Sequence, residues 1–355
     1  DVPIYPTIPG NQVAYILKDS KAVAVFVADH SQYQKVAESR HELPDLKHVV
    51  CFDGPIEGDG AITLQELCQR GAAAEGSYPD YKKDACNIEP DSLATLIYTS
   101  GTTGAPKGVM TTHRNITSNV GSALEVLDIG PEDSVLSLLP LSHTFERTAG
   151  HYVMFHSGAT ISYAESIDKV PANLLEVRPT IVLSVPRLFE KIYARVLESA
   201  TEGSGLKRRI FFWSRNTAEA WADLALAQKP VPAGLRFKKK VADRLVFSKL
   251  KARTGGRIRF FVSGGAPLYP EIARFFFAAG IPILEGYGIT ETSPVIAVNP
   301  IDAPHIGTVG PVIPGVEVKI ASDGEILARG PNVMAGYFNK PEATTEAVDA
   351  DGWFH

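Results

Sequence analysis

Short apolar runs alternate along the chain with longer stretches in which apolar residues recur every three or four positions. The short runs predict strands over residues 22–28, 49–52, 93–98, 134–138, 180–185, 258–262 and 282–284. The longer ones predict helices over 12–18, 64–71, 111–127, 170–177, 186–200, 208–228, 235–253 and 270–279. Strands interleaved with helices in this way are the mark of βα units and mostly parallel sheets. From about residue 301 the texture changes: glycines and prolines punctuate short strands such as 316–320 and 325–329, as in a small β-barrel.

Composition narrows the class. At 355 residues with 45% hydrophobic content, the chain is long enough for two or three cores. A net charge of −5 argues against generic nucleic-acid binding. Cys51, Cys68 and Cys86 are an odd number at irregular spacing, which predicts free thiols in a reducing compartment and no zinc site. The longest apolar candidate, 275–284, is interrupted by Gly280 and Pro282 and falls short of the ~20 residues a bilayer span needs. A soluble cytosolic protein is expected, and both ends read as cut: Asp1 begins mid-pattern and the chain stops at Trp353-Phe354-His355. Residues 235–253 hold eight Lys or Arg against Asp243 alone. The plainer reading of that helix packs its apolar face on the domain and solvates its lysines; peripheral contact with an anionic membrane is the second.

The densest chemistry lies in Tyr98-Thr99-Ser100-Gly101-Thr102-Thr103-Gly104-Ala105-Pro106-Lys107-Gly108. Glycines let backbone N–H groups approach an anion, the hydroxyls add short donors, and Lys107 supplies a mobile positive charge. This predicts a loop around a polyphosphate, although it is not a Walker A loop, because Lys107 follows Pro106 and precedes Gly108. Two further strand ends have ligand-facing character: Gly264, Gly265, Ala266 and Pro267 after 258–262, and Glu285, Gly286, Tyr287 and Gly288 after 282–284. The Tyr287 ring can cover a flat heterocycle, and Glu291, among Thr290, Thr292 and Ser293, can hold Mg²⁺. Of nine histidines only His143, in Leu139-Pro-Leu-Ser-His-Thr-Phe-Glu-Arg147, sits in a motif.

Together these segments resemble the adenylate-forming superfamily of acyl-CoA synthetases, peptide-synthetase adenylation domains and luciferases. The motifs over 98–110, 139–151, 286–294 and 324–338 occur in the family's order, and 351–355 resembles the start of its next one. Ser184-Val-Pro-Arg-Leu-Phe-Glu-Lys-Ile192, the long stretch leading to Phe260-Phe-Val-Ser-Gly-Gly-Ala-Pro-Leu268, and His143-Thr-Phe-Glu-Arg147 resemble the long-chain fatty acyl-CoA synthetases in particular.

The resemblance implies an α/β fold of two mostly parallel, helix-flanked sheets packed together, followed by the start of a small β-barrel subdomain. Residues 1–300 would form the ATP- and acyl-binding region and 301–355 the truncated barrel. It implies activation of a fatty acid by Mg·ATP to an acyl-adenylate, then thioester formation with CoA. Thr99, Ser100, Gly101, Thr102, Thr103, Gly104 and Lys107 would hold phosphates, with Thr99 and Glu291 on the metal. Gly264, Gly265, Ala266, Pro267, Glu285, Gly286, Tyr287 and Gly288 would enclose adenine; Thr290 would lie near the α-phosphate, and His143 would face the acyl carbonyl. The ribose-gripping aspartate, the hinge and the small C-terminal domain with its lysine would follow His355, so no residue here is assigned those roles, and the chain alone is expected to be poor at the full reaction. Two alternatives stay open: an acyl-AMP ligase or adenylation domain serving a carrier protein, and a non-catalytic nucleotide- or membrane-binding module.

Overall fold

The structure, a computed structural model, describes residues 1–54, 60–99 and 104–355. The chain forms two compact units: residues 1–114 with 334–350, and residues 115–333 with 351–355.

The first unit holds two small sheets. Strands β1 (Ala24–Val27), β2 (His48–Cys51) and β3 (Ala61–Thr63) run parallel in that order. Helices Gly10–Asp19 and His30–Ala37 bury Val13, Leu17 and Val36 against Val27, Val49 and Cys51. Asp29 caps the second of these helices, its carboxylate accepting from the Gln32 N–H at 3.0 Å. Strands β4 (Leu93–Thr99) and β5 (Lys107–Thr112) form an antiparallel pair, and the two-residue strand Gly336–Tyr337 extends it along β5. The helix expected from residue 111 therefore begins later, at His113. Residues 107–112 pair with β4 instead, because Val109, Thr111 and Thr112 are β-branched and buried there.

The second unit is built on a six-stranded sheet. Its strands are β6 (Ser134–Ser137), β7 (Thr160–Tyr163), β8 (Ile181–Ser184), β9 (Phe260–Ser263), β10 (Ile283–Gly288) and β11 (Val295–Val298), in the order β11-β10-β9-β8-β6-β7. All neighbours are parallel except β10 and β11. Both faces are apolar, which is why these strands read as continuous runs. Val135, Ile181, Leu183, Phe260 and Val262 join one cluster with Met154 and Ile313. Leu136, Val182, Phe261 and Ile283 join another with Phe189, Phe275 and Phe276.

Beyond residue 301, strands β12 (Glu317–Ile320) and β13 (Ile326–Arg329) form an antiparallel hairpin, and Ala328 bridges to Phe354. The basic stretch 235–253 folds as helix Ala233–Ala242, a π-helical turn Asp243–Phe247 and helix Ser248–Arg253. One of its lysines departs from the expected solvated face. Lys239 is buried, with Nζ 2.6 Å from Asp243 Oδ1 and 4.9 Å from the centre of the Trp221 ring. All three cysteines are free, Cys51 buried and the others exposed. Among the described residues no helix is long and apolar enough to cross a membrane.

Candidate functional site

In the first unit, β4 and β5 flank the expected phosphate loop. Thr99 closes β4 opposite Lys107, the first residue of β5. Ser100, Gly101, Thr102 and Thr103 lie outside the described residues. Gly104 is exposed, and Pro106 is tied down where its carbonyl accepts from the Tyr15 hydroxyl at 3.0 Å. Lys107 Nζ stands 4.7 Å from the centre of the Tyr337 ring, within the range of a cation–π contact. The phosphate-loop motif thus shares one sheet with the end of the 324–338 motif: Ala335 N–H donates to the Met110 carbonyl at 3.0 Å and Phe338 N–H to that of Gly108 at 2.8 Å.

In the second unit, the remaining predicted residues gather at the C-terminal ends of adjacent parallel strands, the usual ligand position in an open α/β sheet. Ser263 stands opposite Ser184 on one side and Glu285 on the other. Gly264 follows, its N–H donating to the Ser184 carbonyl at 3.2 Å, and Gly265 (φ +80°), Ala266 and Pro267 are exposed beyond it. Burial pushes the Glu285 carboxyl above its ordinary pKa, opposed by backbone donors at Gly307 and Leu268.

At the end of β10, Gly286 pairs with Val298 and Tyr287 with Ala297; a bulge follows at Gly288. Glycine is required there, because a Cβ would lie 1.9 Å from the Pro294 carbonyl oxygen. Thr290 and Glu291 sit, partly exposed, on the short 3₁₀ turn Thr290–Thr292. A buried hydroxyl and two buried amides hold this turn. Thr292 Oγ1 donates to the Pro294 carbonyl at 2.7 Å. Asn119, from helix His113–Val126, accepts from the Val295 N–H at 3.1 Å and donates to its carbonyl at 2.7 Å. Asn332 donates to the Thr292 carbonyl at 2.8 Å.

His143 lies in the connection after β6. Its Nδ1 accepts from the Phe145 N–H at 3.1 Å, which assigns the remaining ring proton to Nε2. Surrounding protein lowers its pKa while one side of the residue stays open to solvent. Both observations describe a neutral imidazole with a donor free to face a ligand. The Phe145 ring covers Gly264: a Cβ at that position would lie 3.1 Å from Phe145 Cζ.

Among the described residues no group of three His, Cys, Asp or Glu side chains could hold a metal ion by itself. Thr99 and Glu291 nevertheless fit Mg²⁺ in kind. Both offer oxygen donors, and Mg²⁺ is commonly held by one or two carboxylates together with substrate phosphates.

Sequence reading passed over the supports: Asn119, Asn332, Asn299, Ser137 and Glu146. A signal existed for Asn119, since Asn115 and Asn119 are polar residues four apart on the buried face of one helix. Asn299, whose amide donates to the Thr308 carbonyl at 2.6 Å and whose N–H donates to the Glu285 carbonyl at 3.0 Å, had none.

A family model described as AMP-binding enzyme matches residues 1–338. The chain is 39% identical over 355 residues to a long-chain-fatty-acid–CoA ligase, FadD15, of Mycobacterium bovis, covering 99% of this chain and 57% of that protein. It is 32% identical to the peroxisomal long chain acyl-CoA synthetase 6 of Arabidopsis thaliana, covering 100% of this chain and 51% of that one. The chain thus spans about half the length of these relatives. Among solved structures, the inhibitor-bound N-terminal domain of FACL13 from Mycobacterium tuberculosis superimposes with a TM-score of 0.69 at 22% identity, covering 99% of this chain and 75% of that one.

Proposed function

Because this chain belongs to the AMP-binding enzyme family, we propose that it is the nucleotide- and acyl-binding part of a long-chain fatty acid–CoA ligase. The observation that carries the substrate class is the 39% identity, over 99% of the chain, with a long-chain-fatty-acid–CoA ligase. In this reading a carboxylate oxygen attacks the α-phosphorus of ATP, the P–O bond to pyrophosphate breaks, and an acyl-adenylate forms. The CoA thiol then adds to the acyl carbonyl and AMP leaves, its proton passing to solvent.

An anion attacking a polyanion is limited by charge repulsion and by alignment, so fixed donors and positioned cations are what the protein must supply. Lys107, held beside Tyr337, provides a cation for the phosphates; Thr99 and Glu291 would hold Mg²⁺, which neutralises phosphate charge when bound. The glycine turns 264–265 and 286–288 leave room for a flat base beside Tyr287, with Glu285 at the same strand end. Thr290 offers a hydroxyl for the α-phosphate. Neutral His143, with its proton on Nε2, can donate to the acyl carbonyl oxygen as negative charge grows on it. Fatty acid, ATP and CoA are the proposed partners.

The test is product identity in the full-length protein. With palmitate, ATP and CoA it should release palmitoyl-CoA and AMP. Transfer to an acyl carrier protein with none to CoA would overturn the thioester step while leaving adenylation standing.

A further inference from the structure

Glu146 is the one fully buried carboxyl in this corner, and the reaction proposed above does not use it. It sits in a π-helical turn, Glu146–Tyr152, between β6 and helix Val153–His156. Such turns weaken regular helix bonding and often occur at functional positions. The residue is 0% exposed, and its Oε1 accepts from the Ser137 hydroxyl, at the C-terminal end of β6, at 2.5 Å. The Leu138 N–H is a second donor to the carboxyl. Gly150, one turn on, makes the space: a Cβ there would lie 2.6 Å from Oε1 and 2.7 Å from Cδ. The other oxygen, Oε2, is buried with no partner among the described residues.

A bare carboxylate oxygen in the interior is costly, whereas a protonated carboxyl is tolerated. The preceding residue, Phe145, covers Gly264 and donates its N–H to His143. We infer that Glu146 is a positioning residue: as a neutral carboxyl anchored to Ser137 and admitted by Gly150, it sets the placement of Phe145 and His143 over the Gly264 turn.

Burial moves this carboxyl up to about 7, despite the opposing bonds from Ser137 and Leu138. The strands packed on the turn, β6 and β8, contribute Ser137 and Ser184 and no ionisable side chain. Besides Glu146, the ionisable groups on the corner, the turn and the helix after it are His143, Arg147, His151, Tyr152 and His156; Arg147 bonds the Tyr152 hydroxyl at 2.9 Å and His151 Nδ1 that of Tyr163 at 2.8 Å. Below that transition the corner is set. Above it a charge appears in an apolar wall and the corner shifts.

The role in catalysis rests on the fatty acid ligase reading, so the experiment has two arms. The first is independent of activity. In ring-labelled protein, the His143 resonance, identified by its loss in His143→Gln, should show a second inflection near pH 7 that is absent in Glu146→Gln. The second measures fatty-acid-dependent ATP–pyrophosphate exchange in the full-length protein. Glu146→Gln should keep the wild-type KM for palmitate and lose the decline above pH 7. Glu146→Ala and Gly150→Ala should raise that KM tenfold or more, with KM for ATP changed less than threefold. An unchanged His143 titration in folded Glu146→Gln overturns the inference. So does a Gln variant as impaired as the Ala variant. Absence of exchange in wild type, with the inflection present, would instead sink the ligase reading alone.

Discussion

The ring of Phe145 occupies the space that a side chain at position 264 would need, with its Cζ 3.1 Å from where a Cβ on Gly264 would stand. Two motifs read separately in the sequence, one around a histidine and one a glycine turn, therefore share a contact inside a single unit. That contact is tight enough to be tested by volume.

Gly264→Ala should destabilise the protein by ~1–2 kcal/mol, as expected for overpacking, because Phe145 must move by tenths of an ångström. Replacing Phe145 by Leu should relieve most of that loss. A thermal-unfolding double-mutant cycle reads it: strong coupling is expected, and additive losses would mean the two residues do not compete for this space.

Asp133 supports the opposite end of the same sheet. It is buried, accepting from Thr180 Oγ1 at 2.7 Å, Arg259 Nη1 at 2.5 Å and the Gly130 N–H at 3.2 Å. Burial works to raise its pKa, but the Thr180 and Arg259 bonds outweigh it, so the folded pKa lies below the ordinary carboxylate value. A depressed folded pKa gives stability that is present above the unfolded pKa and is lost as pH falls through the folded one. Arg259→Leu should cost ~3 kcal/mol at pH 7, as for breaking a largely buried pair. In urea titrations the gap to wild type should shrink at pH 3, where the Asp133 carboxylate is protonated in the unfolded chain and increasingly so in the folded one.

Asn119 fastens Val295 and, through it, the turn carrying Thr290 and Glu291. Asn119→Ala should leave the Val295 N–H unsatisfied in the interior and its carbonyl with only the longer 3.4 Å bond from Asn332, a loss of ~2 kcal/mol for a buried polar group without its partner. In the full-length protein it should also raise KM for Mg·ATP more than KM for fatty acid. Equal effects on the two would mean that the turn is only structural.

Much of this was legible in the sequence, for identifiable reasons. The strands of the six-stranded sheet appear as apolar runs because both faces are covered; residues 134–138 and 180–185 each contain an observed strand, and 258–262 overlaps Phe260–Ser263. Short strands escaped notice. β3, β7 and β11 are three or four residues long, and Thr160–Tyr163 leaves no position fully buried. β5 was missed because residues 98–110 read as a loop motif, and its last two residues, Thr111 and Thr112, fall within the helix expected from residue 111. The glycine-rich strand ends stood out in composition, whereas the buried amides that hold them did not. Asn119, Asn299 and Asn332 act by meeting distant backbone groups, a property of the fold that no local pattern announces. The solvated reading of the basic stretch failed at Lys239 for a similar reason: Trp221, eighteen residues away, supplies the face that covers its ammonium group.

The proposed reaction assigns charge neutralisation to Lys107 and metal binding to Glu291. Lys107→Met and Glu291→Gln should each lower adenylation by ~10²-fold or more, the scale of losing a preorganised charge, while leaving thermal stability within ~0.5 kcal/mol, as for partly exposed side chains. Activity loss accompanied by unfolding would remove the assignment of either residue to phosphate or metal.

The most direct measurement is fatty-acid-dependent exchange of labelled pyrophosphate into ATP by the full-length protein, with acyl chains from C8 to C20. The account predicts exchange that requires Mg²⁺ and a long-chain fatty acid and falls by ~10²-fold in Lys107→Met. Exchange driven by an amino acid or an aryl acid but not by any fatty acid, or exchange indifferent to Lys107, would contradict it.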